Sequence, residues 1–176
     1  MIDEQALFSQ REKLSPAIKV MIARYAGSAD SLLTLSQDRD VSVRVAALSS
    51  LGRFPDESIR VRLTQALHDE NAEARKVAVI ALGSQNCGYE GITRTLRDSD
   101  MWVRLYAVKA LGESRNPEAA ASIIPLLYDK DVPVVLATIE ALDQLGRGDA
   151  VALSALQNHP DEAVRERISR IAERTE

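Results

Sequence analysis

Three side chains carry the chemistry enzymes most often use: His68, His159 and Cys87, the only histidines and the only cysteine among 176 residues. Histidine moves protons near neutral pH, and histidine with cysteine can hold zinc or activate a thiolate. Those uses need groups that converge. No pair among the three has the close spacing of structural zinc ligands. His68 and His159 each stand just ahead of an amphipathic segment, where a solvated loop residue belongs. Cys87, in "SQNCGYE", lies between two such segments beside nothing that would lower its pKa. The expectation is a non-enzyme without metal or cofactor, and a lone cysteine excludes an internal disulfide.

The elements that position these residues follow from composition. Hydrophobic residues make up 45% and charged residues 27%, but aromatics only 4%. A core of Leu, Ile, Val and Ala favours packed helices, because alanine is a strong helix former and a poor strand former. The net charge of −4 argues mildly against a general nucleic-acid binder. The opening "MIDEQALFSQREK" has acids and no apolar run, and no segment has the ~20 apolar residues of a membrane span. A cytoplasmic protein without membrane contact is the expectation.

The chain repeats itself. "DVSVRVAALSSLG", "NAEARKVAVIALG", "DMWVRLYAVKALG", "DVPVVLATIEALD" and "DEAVRERISRIAE" begin at Asp40, Asn71, Asp100, Asp131 and Asp161. The arginine position falls at Arg44, Arg75, Arg104 and Arg165, with Val135 in the fourth copy, at intervals of 31, 29, 31 and 30 residues. The initial Asp or Asn is a good N-cap. Gly52, Gly83 and Gly112 are read as left-handed helix stops. Second amphipathic segments lie between the copies, with Pro55 and Pro117 near their first turns and Pro125 deeper, where it would kink the helix. "SPAIKVMIARYAG" is a degenerate copy with Lys19 at the arginine position, and "DEQALFSQREKL" supplies a helix before it. About six helix pairs follow: a degenerate N-terminal repeat over 1–37, regular repeats over 38–156 and a capping helix over 157–176, in one solenoid domain.

The pattern Asp-x-x-Val-Arg-x-x-Ala-x-x-Ala-Leu-Gly resembles the short HEAT repeat named for the phycobilin lyases, with Asp100, Val103, Arg104, Ala107, Ala110, Leu111 and Gly112 matching it. The resemblance implies an all-α, right-handed α-α superhelix in which the Val-Arg helices line a concave face. It also implies that the arginines tie neighbouring repeats together through acidic residues. Val135 and Asp143 depart from the pattern, so the fourth helix is expected to run on toward Gly146. Deoxyhypusine hydroxylase, another HEAT-like protein, holds iron through His-Glu dipeptides, and this chain has none. HEAT-like DNA glycosylases use a basic concave surface, which Glu73, Glu113, Glu140 and Glu166 oppose.

Turning about 100° per residue from Val103 groups Ala107, Leu111 and Ala110 on one packed side. Trp102, Tyr106, Lys109 and Glu113 fall between ~240° and ~300°, away from it, and Leu105 at ~200°. Exposed apolar surface with aromatic anchors marks a binding site. The expected groove site is Trp102 and Tyr106 as anchors, Met101, Leu105, Val77, Ile80, Pro133 and Leu136 as lining, and Lys109 and Glu113 as orienting charges. The expected role is an adaptor, scaffold or regulatory module that binds a helix, loop or extended segment of another protein. A second copy of the chain is an alternative occupant. A lyase-type subunit binding a tetrapyrrole and its carrier protein is the alternative function.

Overall fold

A computed structural model describes residues 13–116, 118–146 and 156–175. The segments before residue 13 and over 147–155, where further helices were expected, and Pro117 lie outside the described residues. Every described element is helical. Contacts divide the chain into two units, Met1–Cys87 and Gly88–Glu176.

In the first unit, α1 (Pro16–Tyr25), α3 (Val41–Leu51) and α5 (Ala72–Ser84) pack side by side as one layer. Helices α2 (Ala29–Leu35) and α4 (Glu57–Ala66) form the other. In the second unit, α7 (Met101–Glu113) packs on α9 (Val132–Gln144), which packs on α10 (Glu162–Thr175). Its other layer is α6 (Tyr89–Thr95) and α8 (Ala119–Ile123), the latter running into a 3₁₀ turn over Ile124–Tyr128.

The repeat motif sets the start of each layer helix. Asp40 accepts from the Ser42 and Val43 amides, Asn71 from Glu73 and Ala74, and Asp100 from Trp102 and Val103. Asp131 makes no such cap bond. Pro133 occupies the position of Ser42, Glu73 and Trp102 and has no N–H to give. The Asp131 carboxylate instead accepts from Arg104 at 2.6 Å.

The arginines form ties within each unit. Arg44 meets Asp69 in a two-pronged pair at 3.0 Å for each prong, while donating from Nη1 to the carbonyls of Asp38 and Arg39. Arg104 repeats this with Asp129 at 2.8 and 2.9 Å and with the carbonyls of Asp98 and Ser99. Both ion pairs are buried, so removing one partner strands a charge away from water. In the degenerate copy Lys19 takes the arginine's place and reaches Asp38 at 2.7 Å. Asp38, Asp69 and Asp129 also accept the amide of the residue two positions on. The acid two residues before each cap is thus a second repeat element, absent from the pattern read in the sequence. The fourth copy lacks both halves: Val135 stands for arginine and His159 for the acid 24 residues later.

The glycines do not stop helices by left-handed turns. Gly83 and Gly112 lie inside α5 and α7, and Gly52 caps α3 in a right-handed conformation. Their role is close approach: a Cβ on Gly112 would sit 2.6 Å from the Ala141 Cβ, and one on Gly52 3.1 Å from the Ala81 Cβ. The left-handed residues described come later, at Asn86, Gly88, Arg115 and Gly146. Helix α9, the fourth copy of the motif, does run on toward Gly146, as its sequence suggested. Pro55 also sits outside its helix, which starts at Glu57 behind an Asp56 cap.

Candidate functional site

Helix α7 is buried along Val103, Ala107, Val108 and Leu111. Trp102, held at the second helical position by the Asp100 cap, is nevertheless 51% exposed. One turn on, Tyr106 is half-buried, with the Lys109 ammonium 5.8 Å from its ring centre. That distance allows a cation–π contact, which fixes the lysine across the ring face. Met101 is half-buried and Glu113 exposed. On the neighbouring α9, Pro133 is exposed, Leu136 half-buried, and Glu140 meets Arg167 of α10 at 3.7 Å.

Leu105 departs from its expected place. It is only 7% exposed and offers a ligand little surface. The rotation that set it near Lys109 considers one helix alone and cannot register what other helices bury. Ala110, assigned to the packed side, is only half-buried.

Val77 and Ile80 belong to the first unit, half-buried and exposed respectively. There the layer of α1, α3 and α5 carries a hollow of about 490 Å³. Val41, Val45, Ala46 and Val77 give it an aliphatic floor, with Ser42 and Ser49 beside them. Helix α1 contributes Val20 and Arg24, and α5 contributes Glu73. Lys76 engages Glu73 at 2.7 Å, whereas the exposed Arg24 makes no ion pair among the described residues. Met21 and Tyr25, at 61% and 81% exposure, continue the apolar surface along α1. The helical rotation puts Ser42, Val45, Ala46, Ser49, Glu73 and Val77 on this side in their own copies; what it missed is the α1 contribution, although its signal was present. Once Lys19 is set at the arginine position, Met21 falls at the position of Tyr106 and Arg24 at that of Lys109.

Of the chemistry-bearing residues, His68 and Cys87 belong to the first unit and His159 to the second. His68 is exposed in the α4–α5 loop, and the His159 Nδ1 accepts the Asp161 amide ahead of α10. Cys87 is half-buried after α5, and burial pushes its thiol pKa up, away from the reactive thiolate. Among the described residues no cluster of three His, Cys, Asp or Glu could hold a metal. No described helix is long and apolar enough to cross a membrane.

The family model for HEAT repeats matches residues 29–91 and 89–174. No curated protein sequence matches the chain. Among solved structures, one similar chain is in the complex of CpcE and CpcF of phycocyanin lyase from Nostoc sp., at 24% identity and a TM-score of 0.68. The similarity covers 82% of this chain but 64% of that one, so this chain spans less than two thirds of its length. A designed armadillo repeat protein in complex with the peptide (KR)4 aligns at 20% identity and a TM-score of 0.64, over 98% and 94% of the two chains. An archaeal HEAT-like repeats protein from Thermococcus onnurineus aligns at 16% identity and a TM-score of 0.54, over 98% and 80%. At these identities the likeness speaks for the fold alone, an all-helical repeat solenoid. With its motif matched over most of its length, the chain belongs to the HEAT-repeat family.

Proposed function

We propose that the chain is a non-catalytic protein-binding module, an adaptor, scaffold or regulatory subunit. Its partner segment lies on the face that α7 and α9 present in the second unit. One observation carries the reading: the only tryptophan is half exposed on a helix whose opposite side is fully packed. Leaving a large aromatic in water wastes apolar area, and tryptophan and tyrosine at such places are typical binding anchors. Trp102 and Tyr106 are the anchors, and Met101, Pro133 and Leu136 flank them. Lys109 and Glu113 steer and orient the partner, influencing on-rate and specificity more than affinity.

The test is affinity capture from the source cell's lysate with wild type and Trp102→Ala/Tyr106→Ala, both checked by circular dichroism. Losing one good anchor costs about 2 kcal/mol of binding, roughly a thirtyfold drop in affinity. A partner held by wild type and released by the folded variant supports the reading; equal capture refutes it. The likeness to the phycocyanin lyase chain favours a second reading, a subunit that binds a tetrapyrrole and its carrier. A visible absorption band on the purified protein, lost in the double variant, would favour that reading. A second copy bound through the same face would appear as a dimer that the variant dissociates.

A further inference from the structure

The opposite layer of the second unit carries a feature that the repeat pattern does not explain. Pro125 cannot continue an α-helix, and after five residues α8 gives way to the 3₁₀ turn. Beside that turn and α6 lies a hollow of about 460 Å³, walled by Leu96, Ala121, Pro125 and Leu126. Arg94 and Arg97 line it as well. Arg97 is exposed and makes no ion pair among the described residues. Among the described residues Arg94 is held by Glu90 at 2.6 Å, an exposed pair of the kind that water and salt readily replace. The same turn bears two of the three exposed large apolar side chains described in this unit, Ile124 and Tyr128.

We propose that this hollow is a second docking site, for an acidic–aliphatic segment of a partner protein. Carboxylates of the segment pair with Arg97 and Arg94, because a guanidinium binds a carboxylate through two parallel N–H donors. An aliphatic side chain fills the space against Leu96, Ala121 and Pro125. Charge complementarity selects this occupant: among the described residues two guanidinium groups and no carboxylate line the hollow, beside an apolar wall. A nucleic-acid strand needs a series of phosphate contacts, whereas Glu90 and Glu118 begin the two helices concerned. The site does not depend on the α7–α9 face.

The probe is a fluorescein-labelled peptide of repeated Glu-Leu-Leu-Glu blocks, compared with one carrying lysine for every glutamate. Binding to the full chain is read by fluorescence anisotropy, with folding of each variant checked by circular dichroism. Preferential binding of the acidic peptide, weakened about tenfold by Arg97→Glu and abolished by Ala121→Trp, is the expected result. Ala121 is exposed, so its enlargement fills the hollow without entering the core. Equal binding of both peptides, no binding, or unchanged affinity in Arg97→Glu overturns the proposal. Loss of acidic-peptide binding in Trp102→Ala/Tyr106→Ala, with Arg97→Glu unaffected, places the segment on α7 and overturns it too.

Discussion

Gly112→Ala puts one methyl group where α7 crosses α9. The new Cβ would lie 2.6 Å from the Ala141 Cβ and 3.0 Å from its Cα. Unstrained carbon contacts are about 3.5–4.0 Å, so the helices must part by roughly an ångström. The second contact is backbone and cannot rotate away. Overpacking of this sort costs about 1–3 kcal/mol, while alanine regains about 1 kcal/mol of helix propensity over glycine. A contact as short as 2.6 Å belongs at the upper end of that cost, so the net expectation is a loss of about 2 kcal/mol. Gly52→Ala gives an internal comparison, since its nearest contacts are the Ala81 Cβ at 3.1 Å and the Ala81 Cα and Ser49 carbonyl oxygen, both at 3.4 Å. There a shift of a few tenths of an ångström relieves the clash, so propensity and strain nearly cancel. Urea unfolding followed by Trp102 fluorescence, which reports on α7 itself, and by far-ultraviolet circular dichroism measures both. Removing the Ala141 methyl in Gly112→Ala/Ala141→Gly should recover part of the loss, as a coupling energy in a double-mutant cycle. A Gly112→Ala protein as stable as wild type, or strictly additive single variants, would refute the close-approach reading.

Two further expectations concern the buried ties. Arg104→Met leaves Asp129 buried without its cation and should cost about 3–5 kcal/mol, with Arg104→Met/Asp129→Leu costing less than the two singles combined, by urea unfolding. Acid should unfold the protein through the same carboxylates. Burial opposes ionisation of Asp38, Asp69 and Asp129, but the bonds from Lys19, Arg44 and Arg104 and the local amides outweigh it and hold all three pKa values down. Their contribution is complete above the unfolded carboxyl value of about 3.9 and is lost as pH falls through the lower folded values. Urea midpoints should therefore be flat from pH 7 to about 5 and fall steeply below about 4, with a shallower fall in Arg104→Met. An acid limb of unchanged slope in that variant would remove Asp129 from the account.

The sequence by itself determined the helical repeat, its period and the caps at Asp40, Asn71 and Asp100. Each rests on interactions within one turn of helix, so local spacing suffices to reveal it. Exposure of Trp102 was legible for the same reason, being the far side of a helix whose packed stripe is plain in its sequence. Tertiary structure decided what depends on a neighbour. Gly52 and Gly112 look like helix stops until Ala81 and Ala141 are set against them. Leu105 looks like groove lining until the surrounding helices bury it. The family resemblance implied acidic partners for the arginines, but that they are Asp69 and Asp129, each 25 positions on, emerged only from the packing. The hollows beside Arg24 and Arg97 exist only between helices, because their shape is what packing leaves unfilled, and no residue's own spacing encodes that.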